Sequence, residues 1–322
     1  MNILLLGTTG LLGHNVLKQL LFDGHKVVAL VRDPKKVLLR HNNLEIIKGP
    51  LDQPTIINAA QGCEAIINCV GVTDMALLHL TDYTAINSEL PKILISAMKH
   101  HGISTLIHVS TANTIGYGAP TKPSNEASAI EHPFSEAFYA QSKLTGEAYL
   151  QQASQENPTG HIIIVNPGFM IGPYDVKPSS GTLLLTGYQK PIMAAPKGGK
   201  SFIAAKDAAV AITHALTMGT NGNRYLLTGS NMTLKEFYRL QADTMGYRQI
   251  FVSLPNWIVS IAGRIGDCIR YCGIKTQLST RNVRQLMVTE HYDNTKAVDE
   301  LHMPQTPIET AIHDFFDWWG NK

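Results

Sequence analysis

The stretch MNILLLGTTGLLG, residues 1–13, decides the fold. A run of four aliphatic residues that ends at a glycine reads as a strand buried on both faces. Gly7, Gly10 and Gly13 follow it at the spacing of a phosphate-binding turn that opens a helix. Gly7 would allow the tight turn, Gly10 would let a pyrophosphate approach the backbone, and Gly13 would let helix and sheet pack closely. The free N–H groups of the first helical turn would then face the phosphates. The same start lacks a basic leader and runs into glycines instead of a cleavage site, so it reads as a first strand and not as a signal sequence.

Five further apolar runs continue the pattern, at residues 26–31, 44–47, 65–70, 105–109 and 162–165, separated by helical periodicity. Alternation of this kind predicts an α/β fold with a doubly wound, Rossmann-type parallel sheet. After Asn166 the texture becomes loop-rich, with Pro167, Pro173, Pro178, Pro191 and Pro196, which suggests that the chain leaves the sheet. A helix over 206–218 and a strand over 224–227 bring it back. The expected division is a dinucleotide-binding unit of residues 1–167 and 203–228, and a smaller, discontinuous substrate unit of residues 168–202 and 229–322.

Composition narrows the function. The 322 residues are 44% hydrophobic and 16% charged with a net charge of +2, which leaves no nucleic-acid footprint and describes an ordinary globular protein. No apolar stretch approaches the roughly 20 residues needed to cross a bilayer. The most membrane-like segment, residues 254–272, is interrupted by Arg264, Asp267 and Arg270, and a reduced, cytoplasmic setting is expected. Within it Trp257, Ile258, Ile261, Ile265 and Ile269 form an apolar stripe at helical spacing, read here as core packing with a lid over an apolar substrate as the alternative. Cys63, Cys69, Cys268 and Cys272 lack metal spacing and are expected to be small buried hydrophobes; no metal is assigned.

Two places carry chemistry. At LVRDPKK the acidic Asp33 lies where a carboxylate would hold the ribose hydroxyls of NAD, but it also precedes a proline as an N-cap would. If it caps, Arg32 is free to pair with the 2′-phosphate of NADP, which makes NADP the expected cofactor and NAD the alternative. In FYAQSKLTGEAYL, residues 138–150, Tyr139 and Lys143 lie one helical turn apart on the same face. A free phenol titrates near pH 10, so Tyr139 needs a stabilised phenolate to exchange protons near neutrality, and the Lys143 ammonium would provide it.

Together GTTGLLG, KGPLD, NCVG, HVSTANTIGYG, YAQSK and VNPGFMIGPYD, in this order, resemble the extended short-chain dehydrogenase/reductases of the NAD-dependent epimerase/dehydratase superfamily. The resemblance covers almost the whole chain and is nearest in flavour to dihydroflavonol-reductase-like and 3-beta-hydroxysteroid-dehydrogenase-like members. It implies a nucleotide loop including Thr9, Leu11 and Leu12, an adenine contact at Asp52, and Val70 and Gly71 beside the cofactor. It further implies a nicotinamide pocket lined by Pro167, Gly168 and Met170, and a catalytic set of Thr111, Tyr139 and Lys143, with Ser110 as the other candidate hydroxyl. Asn87 is either close to the same site or satisfies backbone groups.

The implied reaction is NADPH-dependent reduction of a carbonyl on a small-molecule substrate, with Tyr139 as general acid. Ala112 and Asn113 stand where dehydratases of this superfamily carry an acidic pair, which disfavours dehydration. Two other readings stay open: an NAD-dependent sugar-nucleotide epimerase, for which Lys200 and Arg224 would form the basic clamp, and a non-catalytic dinucleotide-binding protein. Relatives also imply a homodimer through residues 88–99 and 139–152.

Overall fold

The computed structural model describes residues 1–321. Among the described residues twelve strands are formed: β1 (Asn2–Leu6), β2 (Lys26–Val31), β3 (Leu44–Lys48), β4 (Ala65–Asn68), β5 (Thr105–Val109), β6 (His161–Pro167), β7 (Phe169–Ile171), β8 (Ile192–Pro196), β9 (Gly199–Ala204), β10 (Arg224–Leu227), β11 (Ser230–Thr233) and β12 (Ile250–Leu254). Seven of them make one sheet in the order β10-β6-β5-β4-β1-β2-β3. Every pairing in it is parallel, so each strand needs a crossover that covers a face, and the runs are accordingly apolar on both sides. This is the doubly wound Rossmann-type sheet expected from the sequence, and the strand order reverses between β1 and β4, where such folds bind ligands at the carboxyl ends of the strands.

One layer of the core joins the first helix, Leu11–Phe22, to the helix Ala205–Met218 across β1, β2, β5 and β6. The other packs Leu90–His101 and Phe138–Glu156 onto the opposite face. Ala297, Leu301 and Met303, which the sequence reading placed in the smaller unit, also belong to the first layer. Their helix, Thr295–Leu301, packs on Ala205–Met218, so this late segment returns to the sheet by burying three apolar side chains there.

Outside the large sheet the strands form the sheets β11-β9-β7 and β12-β8, over an aromatic core in which Phe202 stacks on Phe237 with ring centroids 4.3 Å apart. The helix Asn256–Tyr271 departs from expectation. Its inner face is built from small residues: a Cβ on Gly266 would come within 2.1 Å of the Leu278 carbonyl oxygen, and one on Gly263 within 2.7 Å of Val283. Its large apolar side chains therefore point outward, with Trp257 65% and Ile265 55% exposed. The stripe is not core, and Cys268 and Cys272 on the same side are exposed where burial was expected.

Candidate active site

The phosphate loop is shaped by backbone sterics. Gly7 adopts φ +90°, which a side chain would resist, and a Cβ there would collide with the Cys69 carbonyl at 2.7 Å. A Cβ on Gly13 would lie 2.0 Å from the Gly7 carbonyl oxygen, so only glycine lets the helix approach the turn this closely. Gly10 meets nothing closer than 3.7 Å and leaves open space above the loop. It is also the N-cap of Leu11–Phe22, with no side-chain cap and no acidic residue in the first turn. The N–H groups that begin with Leu11 and Leu12 are thus unclaimed by any side chain, beside Thr9, and a dinucleotide pyrophosphate fits the cradle.

At the end of β2 the Asp33 carboxylate accepts from the Lys35 N–H at 3.2 Å, as a cap does. Arg32 beside it is exposed, and among the described residues nothing holds its guanidinium. Asp52, expected at the adenine, uses its carboxylate to cap the helix Gln53–Ala59 through the Thr55 N–H at 3.0 Å; the Thr55 hydroxyl first, and this N–H second, hold it below the usual carboxylate range. Its side chain is therefore occupied, which leaves its backbone for any adenine contact.

The chemical groups converge beyond β4 and β5. On the helix Phe138–Glu156 the half-buried Tyr139 and the buried Lys143 share one face. The Lys143 Nζ donates to the carbonyls of Val109 at 2.9 Å and Val70 at 3.4 Å, bridging the two strand ends. A Cβ on Gly71 would press on that Nζ at 3.0 Å, so the glycine makes room for the ammonium. Burial pulls Lys143 down to about 8, opposed by the Glu147 carboxylate. Burial likewise pushes the Tyr139 phenol up to about 12, and a hydrogen bond with the Thr111 hydroxyl draws it partly back. The phenol is thus raised, not lowered as the Tyr–Lys spacing predicted, because desolvation outweighs the Thr111 hydroxyl and the Glu147 carboxylate acts in the same direction as burial.

The two candidate hydroxyls separate. Ser110 donates its Oγ–H to Glu147 Oε1, while the Thr111 Oγ1 accepts from the Asn113 N–H at 3.3 Å and is the hydroxyl that lowers the phenol. Asn87 is fully engaged: its Oδ1 accepts from the Val72 N–H at 2.9 Å, and its Nδ2 donates to Val72 O and to Ser142 Oγ. It shapes the loop after β4 beside Gly71, the backbone-satisfying role of the two weighed for it. Pro167 is buried at the end of β6, a Cβ on Gly168 would lie 2.6 Å from the Ser201 carbonyl oxygen, and Met170 packs against the sheet core.

The residue that sequence reading missed is Glu147. Fully buried, its Oε1 accepts from Ser110, from Thr114 Oγ1 at 2.6 Å and from Asn166 Nδ2 at 2.8 Å, while Oε2 lies 3.5 Å from Arg224. The signal was present, since Tyr139, Lys143 and Glu147 stand at i, i+4 and i+8 on one helix. Arg224, weighed as a nucleotide clamp, is spent on Glu147 and the Glu126 carbonyl, and Lys200 is paired with the buried Glu290.

The model of the NAD dependent epimerase/dehydratase family matches residues 3–227, more than half of the chain, and the protein belongs to that family. The class is an enzyme family that works with a nicotinamide dinucleotide and includes oxidoreductases. Among its relatives, a Synechocystis protein that carries the name of a dihydroflavonol 4-reductase is 25% identical over 98% of this chain and 93% of its own length. Sterol demethylase protein B of Methylococcus capsulatus is 25% identical over 100% of this chain and 99% of its own. The crystal structure of gox2253 superposes with a TM-score of 0.82 at 23% identity, covering 100% of this chain and 98% of that one.

Proposed function

We propose that the protein is an NADPH-dependent carbonyl reductase, capable of the reverse alcohol oxidation, acting on a small and partly apolar ketone or aldehyde. The observation that carries this reading is the placing of Lys143 beside Tyr139 on one helix face, its Nζ held by the Val70 and Val109 carbonyls at the ends of β4 and β5, with Thr111 as the hydroxyl that acts on the phenol. A substrate carbonyl oxygen between phenol and hydroxyl would receive two hydrogen bonds as negative charge develops on it. Tyr139, whose phenol stays protonated across the physiological range, donates the proton. Lys143, held by the Val70 and Val109 carbonyls, supports the charge left on the phenol. NADPH, when bound, supplies the hydride; Gly7, Thr9, Gly10, Leu11, Leu12 and Gly13 would hold its pyrophosphate, and Arg32 its 2′-phosphate. Val70, Gly71, Pro167, Gly168 and Met170 would bound the nicotinamide.

Reduction is favoured over sugar-nucleotide epimerisation because both candidate clamp residues, Lys200 and Arg224, are neutralised by buried carboxylates. The names of the Synechocystis and Methylococcus relatives point the same way, toward a reductase and toward an apolar substrate. The test is NADPH consumption by the purified protein over a panel of aromatic and alicyclic ketones, alongside NADPH and NADH affinities. Turnover that disappears in Tyr139→Phe while NADPH affinity is kept supports the reading. Tightly retained NAD with no net reduction of any carbonyl rejects it.

A further inference from the structure

The helix Asn256–Tyr271 is amphipathic in reverse. The side that packs on the protein carries Val259, Gly263, Gly266 and Arg270, whereas the solvent side carries Trp257, Ile261, Ile265 and Cys268. Arg270 anchors that inner side by donating to the carbonyls of Ala76 at 3.3 Å and Thr276 at 2.9 Å. Asn282 adds a bond to the Met75 carbonyl at 2.9 Å. The helix is thus held firmly with its apolar face outward. The surface extends in sequence on both sides: Ile250 and Val252 of β12 and Ile192 on the paired β8 are exposed, as are Tyr271 (94%) and Ile274. Apolar exposure concentrated in this way marks a face that meets another apolar phase.

Charge identifies that phase. Arg264 stands in the middle of the outward face, with Arg248 and Lys275 exposed before and after the helix, and none of the three has an ion-pair partner among the described residues. The nearest acid on the helix, Asp267, accepts from the Thr280 N–H at 3.0 Å and is thereby committed to the fold. A second copy docking through the same face would set its cations against their own kind, with Asp267, already bonded to the Thr280 N–H, the one acid of the helix. An anionic bilayer surface accepts all the features at once: aliphatic side chains enter the acyl boundary, Trp257 and Tyr271 sit at the headgroup level, and the cations meet lipid phosphates.

We propose that the helix Asn256–Tyr271 docks the protein on the surface of a membrane rich in anionic lipid, lying in the interface without spanning it. The docking stands independently of the proposed reduction. Its consequence for an apolar substrate rests on that reading: Arg270 ties the helix to residues 75–77, in the loop that leads from Gly71, and Asn282 of the neighbouring helix Thr280–Gln285 holds the same loop, so a docked molecule would hold its active site near the bilayer.

The experiment is flotation of the full chain with equimolar phosphatidylcholine/phosphatidylglycerol vesicles and with phosphatidylcholine vesicles, at low and high salt. The thermal unfolding midpoint serves as the check that each variant is folded. Expected is co-flotation with the anionic vesicles, weakened by salt and reduced at least about tenfold in Trp257→Ser/Ile261→Ser/Ile265→Ser and in Arg264→Glu, with the midpoint unchanged. Failure to float with anionic vesicles overturns the proposal. So does equal flotation of the triple variant, or a solution dimer that the triple variant dissociates.

Discussion

Two helices of similar apolar content take opposite positions. Leu11–Phe22 buries Leu11, Leu12, Val16, Leu17, Leu20 and Leu21 between the sheet and the helix Ala205–Met218, whereas Asn256–Tyr271 turns Trp257, Ile261 and Ile265 to solvent. The first is held by a large-residue face and the second by glycines and an arginine. Helical periodicity defines a stripe in both cases, but a stripe is core only when another element lies on it. In the first helix the sheet does; in the second the neighbouring residues 278–283 touch the opposite side.

The contrast implies that chemistry and stability reside with the inward helices, and the largest expected effect is chemical. Tyr139→Phe should lower kcat for carbonyl reduction about a thousandfold, some 4 kcal/mol of barrier, without a change in Tm. A variant with full activity would remove the phenol from the mechanism. Next comes Leu17→Ala, expected to cost about 3 kcal/mol in urea unfolding because its site in the sheet core cannot collapse. A loss below 1 kcal/mol would mean that this face is not the core it looks like.

The pH profile follows in size. Lys143, lowered by burial to about 8, is charged below that pH and neutral above it, while the phenol at about 12 keeps its proton throughout. The kcat/KM for reduction should therefore be level up to about pH 8 and fall about a hundredfold by about pH 10. In Glu147→Gln the descending limb should move to lower pH, since the carboxylate is what keeps the ammonium charged against its burial. A limb that stays in place would show that Glu147 only packs. Arg32→Ala should weaken NADPH about tenfold and leave NADH unchanged, measured by titration; equal losses for both would assign Arg32 no part in choosing the cofactor. Smallest is Ile261→Ala, expected within about 0.5 kcal/mol of the parent by the same urea assay that reads Leu17→Ala. A core-sized loss there would erase the distinction between the two helices.

Much of the nucleotide half was legible because its rules are local. Strands at 26–31, 105–109 and 224–227 were read with their observed bounds, since a buried parallel strand must be apolar along its whole length. The smaller unit was less legible. Its short strands depend on partners far away in sequence, and the outward stripe of Asn256–Tyr271 has the same period as a buried one.

By itself the sequence determined the strand, glycine turn and helix at residues 2–22, the placing of Tyr139 and Lys143 on one face, and the family they indicate. Backbone sterics and a helical repeat act between neighbours, so no other part of the chain is needed to read them. Tertiary structure decided that Ser110 is spent on Glu147 and Thr111 is not, that Glu147 gathers Ser110, Thr114, Asn166 and Arg224, and that Lys200 and Arg224 are committed to carboxylates. It also decided that one apolar helix faces inward and the other outward. Each of these depends on which side chain a distant element brings across the gap, and periodicity along one element carries no record of what lies opposite it.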